Sequence, residues 1–267
     1  MSYEIPAVKR AVALIEHLCG SDRAMGVTDL SRALDINKNM VFRLLKTLHA
    51  VGWVVQEEGP KYRMSLRPFH YASKPASRLD LRTAGLGPLE KLWEETEESC
   101  YLGVLDGDRV LYLAHLDGVG DISIAGHVGG RYVLNCSAPG KVLLAYAGEK
   151  LFDRLAQEGF ERHTENTLCE ADELRQNLAE VRRQGYALDI EEYARGLMCF
   201  AAPIYDYSDE VVGAVGLSVL TLHYDLEEMM QDLGPKVLRT ALTVSLRMGM
   251  SEDQNVRFRM EDSGGKQ

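Results

Sequence analysis

The feature that most constrains this chain is a change of hydrophobic period between residues 37 and 64. Within Lys38–Val51, the residues Val41, Leu44, Leu45 and Leu48 recur at helical spacing and form one narrow apolar stripe. From Trp53 the pattern becomes two short extended runs, Trp53-Val54-Val55-Gln56 and Lys61-Tyr62-Arg63-Met64, joined by Glu57-Glu58-Gly59-Pro60. A helix that is apolar on one face and runs straight into a hairpin must bury that face on something local. Two upstream segments can supply it. In Ala7–Cys19 the residues Val8, Ala11, Val12, Ile15, Leu18 and Cys19 are expected to turn inward. In Thr28–Leu34, Thr28 is the expected N-cap, with Leu30, Ala33 and Leu34 inward. Asp35-Ile36-Asn37 then makes a tight turn, and Asn37 caps the third helix. Three short helices followed by a hairpin are a winged helix-turn-helix pattern.

The face of the third helix opposite its apolar stripe carries Asn39, Arg43 and Lys46 at i, i+4 and i+7, with Phe42 alongside. Arg can pair bidentately with guanine and Asn with adenine, and a phenyl ring can touch a thymine methyl, so this face suits the major groove of double-stranded promoter DNA. Thr28, Asn37 and Lys38 join it as candidate DNA contacts near the two helix starts. Lys61 and Arg63 on the second hairpin strand suit phosphates beside the groove. Glu57 and Glu58 disfavour pressing the hairpin tip itself against the backbone. On an isolated helix the same polar face would be ordinary solvated surface; the hairpin that follows is what favours DNA.

Charge divides the chain. Residues 1–75 hold 11 Lys and Arg against 7 Asp and Glu, a net +4, whereas the remaining 192 hold 19 against 33, a net −14. That asymmetry fits a basic module facing a polyanion and an acidic one that does not. It fits chance variation in surface charge equally well. No apolar run approaches the ~20 residues of a membrane-spanning helix, and the start, MSYEIPAVKR, lacks the layout of a secretory signal. The five cysteines (Cys19, Cys100, Cys136, Cys169, Cys199) form no CxxC pair, so neither a disulfide framework nor a zinc-finger spacing is expected, and a reducing cytoplasm is the simplest compartment.

Pro75 marks the expected end of the first domain (1–75). A second domain (76–250) opens with a connector helix over Leu79–Glu98, interrupted by Gly85, Gly87 and Pro88 and apolar enough to pack on a partner as well as on its own domain. Strands are expected at 101–105 and Arg109–Leu116 around an Asp-Gly turn, then at Asp121–Val128, Tyr186–Ile190, Met198–Tyr205 and Val211–Leu220. Helices are expected at Gly140–Ala147, Glu149–Gln157, Ala171–Gln184 and Leu226–Met248. Hairpin-joined strands with interspersed helices predict an α+β fold. Ser251–Gln267, polar and containing Gly264-Gly265, is expected to be a disordered tail. No internal repeat is present.

The blocks NKNMVFRLLKTLHAVGWV (37–54), LNCSAPGKVLLAY (134–146), QGYALDIEEYARGLMCFAAPIYD (184–206) and VVGAVGLSV (211–219) resemble the IclR family of transcription regulators, and the likeness runs over roughly Ile5–Gly249. The resemblance implies a winged-helix first domain and a GAF-like effector domain with an antiparallel sheet and flanking helices. It also implies homodimers or dimer pairs, and promoter binding controlled by a small, often acidic metabolite. The positions matching the family's effector pocket are Ser137 and Ala138 at a helix start, Asp189, Cys199 and Ser218. Two departures stand out: Pro139 has no N–H to offer a ligand, and Gly216 replaces one of two serines on the last strand. Both imply a pocket with fewer donors and a larger ligand. On the residues alone, Cys199 reads rather as a small buried apolar side chain, Asp189 as part of a solvated turn and Ser137 as a plain N-cap; the resemblance is what favours the pocket for Asp189 and Cys199.

The rival function is an enzyme acting on a metabolite. Its support is thin: Glu191 and Glu192 are adjacent and so point apart, the seven histidines make no HExxH, and neither GxSxG nor Walker A occurs. Cys199 as a nucleophile would need a lowered thiol pKa. No cofactor or metal is expected. A third reading is an architectural DNA-binding dimer without a ligand. For the effector reading, a small hydroxylated acid resolves the meeting of two carboxylates: Asp189 accepts from a ligand hydroxyl while the helix start near Ser137 holds the carboxylate.

Overall fold

A computed structural model describes residues 4–57, 59–68, 70, 71, 80–120 and 126–258. The chain divides into two units, Met1–Arg78 and Leu79–Gln267. Pro75 lies outside the described residues.

In the first unit, helices α1 (Pro6–Cys19), α2 (Val27–Leu34) and α3 (Lys38–Ala50) pack on a small sheet of order β1-β3-β2, built from β1 (Met25–Gly26), β2 (Val54–Gln56) and β3 (Lys61–Met64). The two-residue β1 pairs with β3 and is too short to leave a periodic trace. Asp35 in the left-handed region (φ 52°) ends α2, and the Asn37 side chain accepts from Met40 N at 2.9 Å to start α3. Thr28 is not the cap of α2: Gly26 holds that place, with Asp29 accepting from its N–H, and Thr28 sits inside the first turn. Val41, Leu45 and Leu48 bury the predicted stripe against Leu14, Leu18, Leu30, Val54 and Tyr62. Helix α1 is rolled from its expected orientation. Leu14 and Leu18 face the core, while Val8 and Val12 are about half exposed.

The second unit is a six-stranded antiparallel sheet of order β6-β5-β4-β9-β8-β7: β4 (Ser99–Asp106), β5 (Arg109–Leu116), β6 (Arg131–Val133), β7 (Ala187–Ile190), β8 (Leu197–Tyr205) and β9 (Val211–Leu220). Helices cover both faces, which is why β8 and β9 read as continuous apolar runs rather than alternating ones. On one face lie α4 (Leu81–Thr96) and a C-terminal helical segment; on the other lie α5 (Ala138–Tyr146), α6 (Glu149–Glu158) and α7 (Ala171–Gln184). The expected strand at Asp121–Val128 falls mostly outside the described residues, and 126–130 form no strand.

Three expectations are corrected. Helix α4 is not broken by Pro88: the proline cannot donate to Ala84 O, and Arg247 Nη1 donates to that carbonyl instead, at 3.1 Å. Its Leu81, Leu89 and Leu92 are buried on its own sheet, which leaves little apolar face for a partner. The C-terminal helix is in three pieces, α8 (Leu226–Glu228), a π-helical turn (Met229–Leu233) and α9 (Gly234–Arg247). The widening comes just before Pro235, whose missing N–H removes one rung of the α ladder. Finally, Glu252–Phe258 is a 3-10 helix rather than a free tail: Phe258 is buried edge-on against Tyr205, and the Arg257 guanidinium lies 4.7 Å from the same ring. Residues 259–267 lie outside the described set.

Candidate DNA interface and effector cavity

In the first unit, α3 turns Lys38, Asn39, Phe42, Arg43 and Lys46 outward beside the capping Asn37, all of them exposed. Lys46 Nζ sits 5.7 Å from the Phe42 ring centroid, so the ring and the charge share one patch. Thr28 is exposed on the first turn of α2. On the wing, Lys61 and Arg63 flank the buried Tyr62, as strand alternation requires. Arg63 Nε donates to Glu57 Oε1 at 2.5 Å, so the acid at the hairpin tip already holds one of the two basic side chains.

In the second unit, register brings the effector candidates together. Asp189 on β7 lies opposite Cys199 on β8, and Cys199 lies opposite Ser218 on β9. The three therefore form one row across adjacent strands, with Cys199 Sγ and Ser218 Oγ 3.0 Å apart. All three line a cavity walled by Tyr101, Tyr112, Tyr132 and Tyr193. Tyr101 and Tyr112 stack at 5.0 Å, and Tyr112 meets Tyr132 at 4.2 Å. Ser137 and Pro139 reach the cavity from the start of α5. Ala138 is fully buried and is not among the lining residues. Ser137 does act as a cap: its Oγ accepts from Gly140 N and donates to Val133 O at 2.6 Å.

Asp189 Oδ1 accepts from Glu192 N at 2.8 Å and Tyr193 N at 3.2 Å, which shapes the β7–β8 turn. Its other oxygen, Oδ2, is buried with no hydrogen-bond partner. Burial pushes the Asp189 carboxyl up to about 6 against the pull of those two N–H groups, of Lys141 and of the neighbouring Cys199 thiol. Behind it, the buried Lys141 ammonium on α5 pairs with Glu192, whose carboxyl burial raises to about 7, with the Asp189 charge contributing. Burial also drives the Cys199 thiol well above its ordinary value, so it is a neutral SH rather than an activated nucleophile.

The Gly216 departure does not enlarge the cavity. A Cβ there would lie 2.2 Å from Phe200 O and 2.7 Å from the Tyr101 hydroxyl; the tyrosine fills the place of a serine side chain. The space that remains is about 40 Å3, room for a water or two. The tyrosines and His115, which also lines the cavity, were not among the candidates chosen from sequence.

Residues 7–58 match the family model described as the IclR helix-turn-helix domain, and residues 73–246 match the one described as bacterial transcriptional regulator IclR C-terminal. The chain belongs to the IclR family of bacterial transcription regulators. This IclR-family chain is 31% identical over 247 residues to the HTH-type transcriptional regulator KdgR of Escherichia coli K12, covering 92% of this chain and 93% of that one. It is 32% identical over 228 residues to the regulator XynR of the same organism, covering 84% and 90%. Among solved structures, one from Silicibacter sp. TM1040 assigned to the IclR transcriptional regulators superposes with TM-score 0.80 at 24% identity, covering 92% and 97%; this likeness concerns the fold. The family is one of DNA-binding regulators, not of enzymes, so the metabolite-processing alternative falls away. No helix among the described residues is long and apolar enough to cross a membrane.

Proposed function

We propose that this IclR-family regulator binds promoter DNA through the Asn39/Phe42/Arg43/Lys46 face of α3, and that a small hydroxylated organic acid in the second unit sets its DNA affinity. The observation that carries the second half is the unpartnered Asp189 Oδ2. A buried carboxylate oxygen without a donor is costly, and a ligand hydroxyl would relieve it beside the Cys199–Ser218 pair. An architectural dimer without a ligand has no use for that arrangement. The cavity is far smaller than the ~300 Å3 or more of an ordinary ligand pocket, so an acid must part the tyrosine walls to enter. A ligand that favours one arrangement of the unit over another is what control of a distant DNA face requires.

Two copies per operator fit this reading, because one winged helix covers a single half-site and dimers read two. The exposed apolar strip of Ile5, Val8 and Val12 at the start of α1 supports a second copy as its occupant, and the promoter DNA such a regulator binds places it in the cytoplasm. Calorimetric titration of the full chain with sugar acids, short hydroxy acids and hydroxylated aromatic acids tests the ligand class. Micromolar binding of at least one acid, lost in Cys199→Phe, is the expected result. Failure of every acid removes the effector reading.

A further inference from the structure

A hydroxy acid bound here, the reading on which this inference rests, brings a carboxylate into a cavity that already presents the free oxygen of Asp189. Something on another wall must hold it. The start of α5 offers little: the Ser137 hydroxyl is committed to Gly140 N and Val133 O, and Pro139 has no N–H. Lys141 is paired with Glu192 and does not line the space. Among the described lining residues, the one side chain able to carry positive charge is His115 on β5.

His115 reaches that wall because of an irregularity in the sheet. In β5, Val110 and Tyr112 point into the cavity-side core, and strict alternation would turn His115 to the opposite face. The register between β4 and β5 slips at this point: Leu102 faces Ala114, but the next residue, Gly103, faces Tyr112, which leaves Leu113 as the extra residue of a β-bulge. Beyond the bulge the phase is reversed. Ala114 and Leu116 join the core on the α4 side, and His115 falls opposite Tyr101 with its ring stacked 5.9 Å from Tyr112. Its Nε2 lies 3.2 Å from Asp117 Oδ1, whereas Nδ1 is buried and has no partner. Gly126 closes over the ring edge, where a Cβ would come within 2.3 Å of Cε1.

We propose that His115, held by Asp117, is the carboxylate-binding residue of the cavity, and that the ligand is a hydroxy acid bridging His115 and Asp189. With Nε2–H donated to Asp117, a proton on Nδ1 makes the ring a two-sided donor, one side for Asp117 and one for the ligand carboxylate. Such a charge-assisted bond between tyrosine walls is stronger than one in water. The groups around the ring are Tyr112 on its own strand, Asp117 just past that strand's end, Tyr101 on β4, Tyr132 on β6, and Asp189, Tyr193 and Cys199 across the cavity. Burial drives Tyr101, Tyr112, Tyr193 and Cys199 upward. Burial also raises Asp189 to about 6 and, behind it, Glu192 to about 7.

The test is calorimetry on the full chain at pH 8, in two buffers of different ionisation enthalpy. The probes are gluconate and 4-hydroxybenzoate, each beside its neutral amide. The acid that binds the wild type should bind His115→Gln at least tenfold more weakly, and the amide should bind both proteins alike and weakly. Acid binding should take up a proton in the wild type and none in His115→Gln. Asp117→Asn, altered at an exposed side chain, should show an intermediate loss and guards against a folding defect at the buried histidine. Equal affinity of wild type and His115→Gln for the acid would overturn this assignment alone. So would an amide as tight as its acid, or proton uptake persisting without the histidine, which would assign the proton to Asp189 or Glu192. If neither acid binds the wild type, this inference falls, while the effector reading falls only if the wider series of acids fails as well.

Discussion

Replacing Asp189 by Asn should make the second unit's stability less dependent on pH, in a direction fixed by the sign of the perturbation. The carboxyl is displaced from its ordinary 3.8 to about 6, chiefly by burial. Between about pH 4 and 6 the folded chain therefore holds a proton that the unfolded chain has released. Stability is greatest below that window and falls as pH rises through it. At about 1.4 kcal/mol for each unit of displacement, the wild type loses roughly 3 kcal/mol across the window from this group. Asn keeps an oxygen to accept from Glu192 N and Tyr193 N but has no charge to desolvate. It also removes a charge that helps raise Glu192, which flattens the curve further. The variant should thus gain on the wild type from pH 4 to pH 7, by about 6–12 °C in melting temperature for a unit of this size. Trp53 and Trp93 fall in different units, so a Trp53→Phe background reports unfolding of the second through Trp93 alone. A constant difference between the two proteins at every pH would refute the claim that Asp189 is buried at a cost.

Four further outcomes follow. Arg43→Ala should cost about 1–3 kcal/mol on a cognate duplex and little on a scrambled one, by gel-shift titration, if Arg43 reads a base. Lys61→Ala should weaken both duplexes alike and lower the salt slope by about one, whereas Arg63→Ala, already paired with Glu57, should do less of either. Arg247→Ala should destabilise the second unit by about 0.5–1.5 kcal/mol in urea, because it removes an exposed hydrogen bond to the Ala84 carbonyl that Pro88 cannot serve. Light scattering at micromolar concentration should give a dimer for the wild type and a monomer for the pair Val8→Glu and Val12→Glu.

The parts of the fold that were legible in the sequence were those governed by local period. The switch from helical to alternating spacing at Trp53, the Asn37 cap and the apolar runs of β8 and β9 each depend on near neighbours. Asp189, Cys199 and Ser218 came from family likeness, because these three strands, though successive in sequence, do not reveal locally the register that places the three residues in one row. His115 was invisible for a related reason: a bulge created by pairing with β4 inverts the alternation on which any reading of β5 depends. The rescue of Pro88 by Arg247 likewise joins residues far apart in sequence. The roll of α1 was lost because Val8, Val12 and Leu14 are all apolar, and only packing on α2 and the small sheet distinguishes them.

The central claim, that an acid in the tyrosine-walled cavity governs DNA affinity, is tested most directly by fluorescence anisotropy. The full chain is titrated onto a duplex it has itself selected from a random pool, with and without a saturating acid found by calorimetry. The account predicts a change in DNA affinity of fivefold or more. It also predicts that DNA changes the acid's affinity by the same factor, since coupling between two binding sites is reciprocal. An acid that occupies the cavity and leaves the DNA isotherm unmoved would contradict it.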